Sequence, residues 1–196
     1  MKTLERGFKA WAERASLSIR QELGISVEQP LSPAALADYL EVELWTPKDV
    51  PGITKDVLDE LLKHDPFGWH ALGLQVDGKS IVIYNPRKSA GRQVSDITHE
   101  LAHIILDHQP ATIIYSAELD LGMRSFDQKQ EDEANCLAWC LLLPRESLAH
   151  ATRRRMSTSE TAGHFGVSES LVTYRTNISG IGKQFRPVRV ARRSRS

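Results

Sequence analysis

The run His99-Glu100-Leu101-Ala102-His103 puts two imidazoles and a carboxylate at a spacing that suits one chemistry. On an α-helix, histidines at i and i+4 leave the same face one turn apart, close enough to share a metal ion, with the intervening glutamate beside them as a base. That is the arrangement of a zinc hydrolase. Turning about 100° per residue from His99 places His103 near 40°, Asp96 near 60°, Asp107 near 80° and Glu100 near 100°. Val94, Ile97, Leu101, Ala102, Ile104, Ile105 and Leu106 fill the apolar remainder of the same helix. A narrow polar sector on a buried helix needs partners for its charges, and a cation is one.

A catalytic zinc takes three protein ligands and leaves a fourth position for water. A third histidine in the pattern HExxHxxGxxH is excluded, because Leu106 stands in the glycine position and Gln109 in the histidine position. Cys136, Cys140 and Asp107 are other donors, and a glutamate on a second helix is offered by Glu131-Asp132-Glu133-Ala134-Asn135. Helical rotation sets Glu131 and Asn135 at the edge of the face formed by Ala134, Leu137, Ala138, Leu141 and Leu142. Asp132, Glu133, Cys136 and Cys140 point away from that face. Rotation therefore favours Glu131 as third ligand, with Asn135 as a supporting group behind it, and reads the cysteines as small hydrophobes; Asp96 and Asp107 are either solvated acids or polar groups that support the ligands from behind. An oxyanion formed beside the metal needs a further donor, and Tyr174, Arg175, His164 and His108 are the candidates. His64 and His70 lie near element ends and read as chemically idle.

These residues must be held by surrounding elements. Leu4, Phe8, Trp11, Ala12, Ala15 and Ile19 have helical spacing up to Leu23-Gly24. Ser32 followed by Pro33 starts a second helix, Val42 to Trp45 alternates as a strand, and Thr54 caps a third helix closed by Asp65-Pro66. Two β-prone runs, 69–76 and 80–84, flank Asp77-Gly78, a turn that favours positive φ. This hairpin leads into the HExxH helix. A polar stretch from Gln109 to Gln130 then precedes a helix from Glu131 to Leu143, ended by Pro144. The expected fold is α+β: mainly helical, with a small antiparallel sheet packed beside the HExxH helix.

The runs IVIYNP, ITHELAHIILDH and EDEANCLAWCLLLP resemble the ImmA/IrrE family of zinc metallopeptidases, which pair an HELGH-like helix with an E-x-x-A-N-x-x-A helix ending in Leu-Leu-x-Pro. The resemblance covers roughly residues 30 to 180. It implies His99, His103 and Glu131 as zinc ligands and Glu100 as catalytic residue. It also implies a protein substrate, a helix-turn-helix repressor whose cleavage switches genes on. Ala102 departs from the family's usual glycine and is small enough to serve. A site of two histidines and one carboxylate also accepts manganese or another divalent ion in place of zinc.

At 196 residues the chain can build one compact core, and a 41% hydrophobic fraction is ordinary for a globular protein. No run is apolar enough to span a bilayer, and the start MKTLERGFKAWAERA carries charges every few residues, so no membrane role is expected. With only two cysteines, a disulfide framework is excluded and a cytoplasmic location is expected. Net charge is zero, yet five arginines crowd the last eleven residues. The expected organisation is an N-terminal helix at 1–29, a metallopeptidase domain at 30–180 and a basic, disordered tail at 181–196. Within the domain, residues 159–177 outline a helix-turn-helix with Gly166 at the corner. Together with Arg153, Arg154, Arg155 and the tail, that segment supports a second reading, a DNA- or protein-binding transcriptional regulator with a structural metal; packing is the preferred role for the helix pair.

Overall fold

The computed structural model describes residues 4–108, 113–116, 121–124 and 127–184. The fold is α+β and mainly helical. Its helices are α1 (Phe8–Glu22), α2 (Pro33–Tyr39), α3 (Lys55–Asp59), α4 (Ala90–Ile105), α5 (Gln128–Leu142), α6 (Arg145–Arg153), α7 (Thr158–Phe165), α8 (Glu169–Ser179) and α9 (Ile181–Gln184). The strands are β1 (Val42–Trp45), β2 (Ala71–Val76), β3 (Lys79–Tyr84), β4 (Ile113–Ser116) and β5 (Leu121–Arg124).

Local chemistry sets most boundaries. Ser32 accepts the backbone N–H of Ala35 with Pro33 in the first turn, and Thr54 accepts that of Val57. The third helix widens after Asp59 into a π-helical turn, Glu60–His64, closed by the Asp65 N–H on the carbonyl of Glu60. Asp77 (φ 50°) and Gly78 (φ 79°) both lie at positive φ, the twist that lets β2 and β3 pair tightly, with Gly73 opposite Val82. Asn85, 1% exposed, clips the hairpin's open end: its side-chain amide donates to the carbonyls of Pro66 and Trp69, and its backbone N–H to that of His70.

Three expectations need correcting. The sheet is mixed rather than purely antiparallel, because β1 joins the hairpin parallel to β3 in the order β1-β3-β2. A four-residue strand carries too little pattern to choose a partner, and the choice follows from α2, which packs against both β1 and α4. The polar stretch after α4 contains a second hairpin, with β4 pairing β5 antiparallel. And α5 begins at Gln128 rather than Glu131, since Asp127 caps it by accepting the N–H groups of Lys129 and Gln130. The proposed basic tail begins with α9, and its arginines lie outside the described residues.

The long helix α5 is the centre of the core. It packs on α4 along one side and on α1 along the other, so Cys136, Cys140 and Asp132, expected to face away, are buried. A helix covered on two sides does not have a single inward face, which is why rotation alone misjudged them. The cysteines line a cavity of about 340 Å³ with Lys9, Glu13, Arg145 and Arg175, on the side of α5 that meets α1. They are small core residues there, and free thiols.

The join between α1 and α5 holds a buried cation. Arg20, 1% exposed, donates to the carbonyls of Ser26, Gln29, Leu141 and Leu142, capping the last turn of α5 while burial pushes its guanidinium down to about 10, still charged at neutral pH. Replacing Arg20 by leucine leaves those carbonyls without a donor. A loss of about 3–5 kcal/mol is expected in denaturant unfolding, with Arg20→Lys recovering only part because an ammonium cannot fork across four acceptors.

Candidate metal centre

The polar sector of α4 straddles the seam between α5 and the edge strand β2. On the α5 side stand His99 and His103. Their Nε2 atoms are 3.1 Å apart, and Glu131 reaches between them, with Oε2 3.3 Å from His99 Nε2 and Oε1 3.7 Å from His103 Nε2. The capped start of α5 puts Glu131 in its first turn, where the helix dipole favours a carboxylate. The three side chains are 20–26% exposed, so the group is open to a ligand from solvent.

These distances test whether a metal fits. Zinc bonds of about 2.0–2.1 Å at tetrahedral angles hold two ligand atoms about 3.3–3.4 Å apart. The observed separations bracket that value. Among the described residues, His99, His103 and Glu131 form a group whose ligand atoms all lie within 4.8 Å of one another, and their chemistry suits a divalent ion.

On the β2 side, Glu100 is 9% exposed and its Oε2 accepts the backbone N–H of Gly73 at 2.9 Å. Because β2 is an edge strand, that N–H is turned away from β3 and available to α4. A Cβ at Gly73 would stand 3.1 Å from the same oxygen, so the glycine allows the close approach. Asp96, 8% exposed, is an ion-pair partner rather than a solvated acid: Arg92 Nε lies 2.9 Å from its Oδ1 and His70 Nδ1 3.3 Å from its Oδ2. His70, expected to be idle, is thus tied to the HExxH helix.

Other candidates are placed as follows. Asn135 donates to the backbone carbonyl of Glu131 at 2.8 Å, bracing the turn that carries the acid rather than touching its carboxylate. Asp107 is exposed at φ 51° and ends α4: its N–H bonds Ile104 O while the next N–H, of His108, bonds His103 O. Arg175, 2% exposed, is taken up by Leu143 O at 3.0 Å and Glu13 Oε1 at 2.7 Å, and His164 by Glu28 O at 2.6 Å. Both side chains are thus hydrogen-bonded to other elements of the fold, Arg175 to the end of α5 and to α1 and His164 to the segment before α2. Tyr174 packs edge-on against Trp139, and burial raises its phenol pKa.

His108 comes closest, at 3.0 Å, but to His103 Nδ1, the ring atom facing away from Glu131; its own Nε2 is 3.3 Å from Glu133 Oε2. Sequence reasoning placed His108 in front of the metal and turned Glu133 away from it. The clue was Asp107, a residue type that tolerates positive φ just beyond a helix and so folds the chain back over its last turn.

Residues 56–177, more than half of the chain, match the family described as Peptidase M78, IrrE N-terminal-like domain. A solved Mycobacterium tuberculosis transcriptional regulator shares the fold at a TM-score of 0.51 and 17% identity, over 88% of this chain and 47% of that one. The chain thus spans about half the length of that regulator. No curated protein is similar enough to count as a match. Among the described residues no helix is long and apolar enough to cross a membrane. With the matched span running from the start of α3 through α8 and enclosing both α4 and α5, the chain belongs to the Peptidase M78 family as an IrrE N-terminal-like domain.

Proposed function

We propose that the chain is a zinc-dependent endopeptidase that cuts a DNA-binding repressor at one bond in the cytoplasm. The observation that carries this reading is the convergence of His99 Nε2, His103 Nε2 and Glu131 at 3.1–3.7 Å, with the Glu100 carboxylate on the next position of the same helix. His99, His103 and Glu131 would hold the ion. Bound there, zinc supplies Lewis acidity to a water molecule and a peptide carbonyl. Glu100 accepts the proton of the attacking water and delivers it to the leaving amine nitrogen. The Gly73 N–H donates to Glu100 Oε2 at 2.9 Å and fixes the position of the carboxylate. At 9% exposure the carboxylate is also shielded from competing water.

Gly73→Ala tests this positioning. Its methyl group presses on Glu100 Oε2 at 3.1 Å and must displace it by a few tenths of an ångström. Cleavage is expected to slow about tenfold, less than the roughly hundredfold attached to a 1 Å misplacement, while metal content is unchanged.

The regulator reading rests on α7 and α8, which meet at Gly166 (φ 66°), together with the exposed Arg153, Arg154 and Arg155 before them and the tail arginines, which lie outside the described residues. The helix pair itself, 158–179, contains one arginine or lysine, Arg175, and it is buried against Glu13. A recognition helix with no free cation is poorly equipped for a phosphate backbone, so we assign the pair to packing. The decisive experiment incubates the zinc-loaded chain with helix-turn-helix repressors encoded beside it. Intact-mass analysis should find two fragments that sum to one repressor plus water, and none when a chelator is present. Intact repressors throughout, from a chain with full zinc occupancy, would refute peptidase activity on that class.

A further inference from the structure

We propose that His108 and Glu133 are positioning residues that fix the tautomer and aim of His103. The inference rests on the metal-centre reading and assigns to two further side chains a role in it.

The hydrogen-bond directions decide the matter. Two Nδ1 atoms 3.0 Å apart, on His103 and His108, need one proton between them. If His108 donates, neutral His103 carries its proton on Nε2, pointing among His99 and Glu131, and the bare His108 Nε2 faces the Glu133 carboxylate at 3.3 Å, lone pair against lone pair. If His103 donates, both contacts behind the ring are satisfied, and the lone pairs left in front of it, on His103 Nε2 and Glu131, are the ones a cation would take up. His103 Nδ1–H goes to His108 Nδ1, His108 Nε2–H goes to Glu133 Oε2, and His103 Nε2 is left bare toward Glu131, as metal binding requires. Glu133 accepts only, so it selects the second direction.

The surroundings favour such a chain. The side chains of His108 and Glu133 are 8% and 14% exposed, so water screens the selection little. Asp107 at φ 51° folds His108 back, setting its ring edge-on to that of His103 at 5.0 Å between centroids. Glu133 sits two residues after Glu131 on α5, so one helix supplies both the acid among the histidines and the acid behind them. Lys129, 3.9 Å from Glu133 and 2.6 Å from Glu5, steadies that carboxylate from outside.

The test is zinc affinity by chelator competition in the full chain, for His108→Phe, Glu133→Leu and Glu133→Gln. His108→Phe and Glu133→Leu are expected to bind about 10–100-fold more weakly, the usual effect of losing such a partner. Glu133→Gln keeps an oxygen for His108 Nε2–H and should remain within a few-fold of the parent. Thermal unfolding of the metal-free chains separates a packing defect from lost aim: the relay predicts that the leucine and glutamine variants unfold alike while differing in affinity. Equal affinity in those two variants overturns the proposal, even if His108→Phe fails to fold. A parent chain that takes up no divalent ion instead sinks the metal-centre reading itself, whereas tight binding in the parent and every variant sinks the relay alone.

Discussion

Glu100→Gln is expected to retain a full complement of metal and lose cleavage by roughly 10²–10⁴-fold, the contribution of a positioned general base. The substitution is nearly isosteric, and a glutamine oxygen can still accept the Gly73 N–H that holds the native carboxylate at 2.9 Å. Position, burial and the neighbouring histidines are therefore preserved. What changes is basicity, because an amide cannot take a proton from water. Single-turnover cleavage beside metal analysis of the same preparation separates the effects. Parental rates in the glutamine variant would remove Glu100 from the mechanism and require another base, and among the described residues Asp96 is a poor substitute because Arg92 and His70 occupy it.

Glu131→Ala carries the second large effect. Removing one of three ligands should weaken zinc binding by more than the roughly 10–100-fold expected for partners behind the ligands, so it must exceed both His108→Phe and Glu133→Leu. The metal-free chain should barely notice: losing an acid from the first turn of α5 costs about 0.3–1 kcal/mol through the helix dipole. The contrast appears in thermal unfolding with and without zinc. At a free metal concentration a thousandfold above the dissociation constant, the parent gains about 4 kcal/mol. Glu131→Ala should gain almost nothing at that concentration. A zinc-induced shift of parental size in the alanine variant would mean that another residue completes the site.

Much of this architecture is legible along the chain because its signals are local. Ser32 before Pro33, Thr54 before its helix, and Asp77-Gly78 between two β-prone runs each dictate backbone geometry within a few residues, and the structure follows them. The pairing of the α4 histidines is local too, since four residues along a helix always bring side chains to one face. Rotation failed where burial was not one-sided. On α5, enclosed by α1 and α4, the predicted outward face holds Cys136 at 2% and Cys140 at 1% exposure.

The sequence by itself determined which atoms could bind a metal and which glutamate on the second helix was best turned to meet them, because helical periodicity and donor chemistry are properties of neighbouring residues. Only the tertiary structure decided what stands behind those atoms. Gly73 lies under Glu100 because an edge strand crosses α4; Asp96 is held by Arg92 and His70; Arg175 is spent on Glu13; and His108 faces Glu133 across two helices. Each of these but the helical Asp96–Arg92 pair joins residues distant in the chain, so no spacing encodes it. The angle at which α5 lies on α4 and the side on which β2 ends fix them, through the packing of the core as a whole.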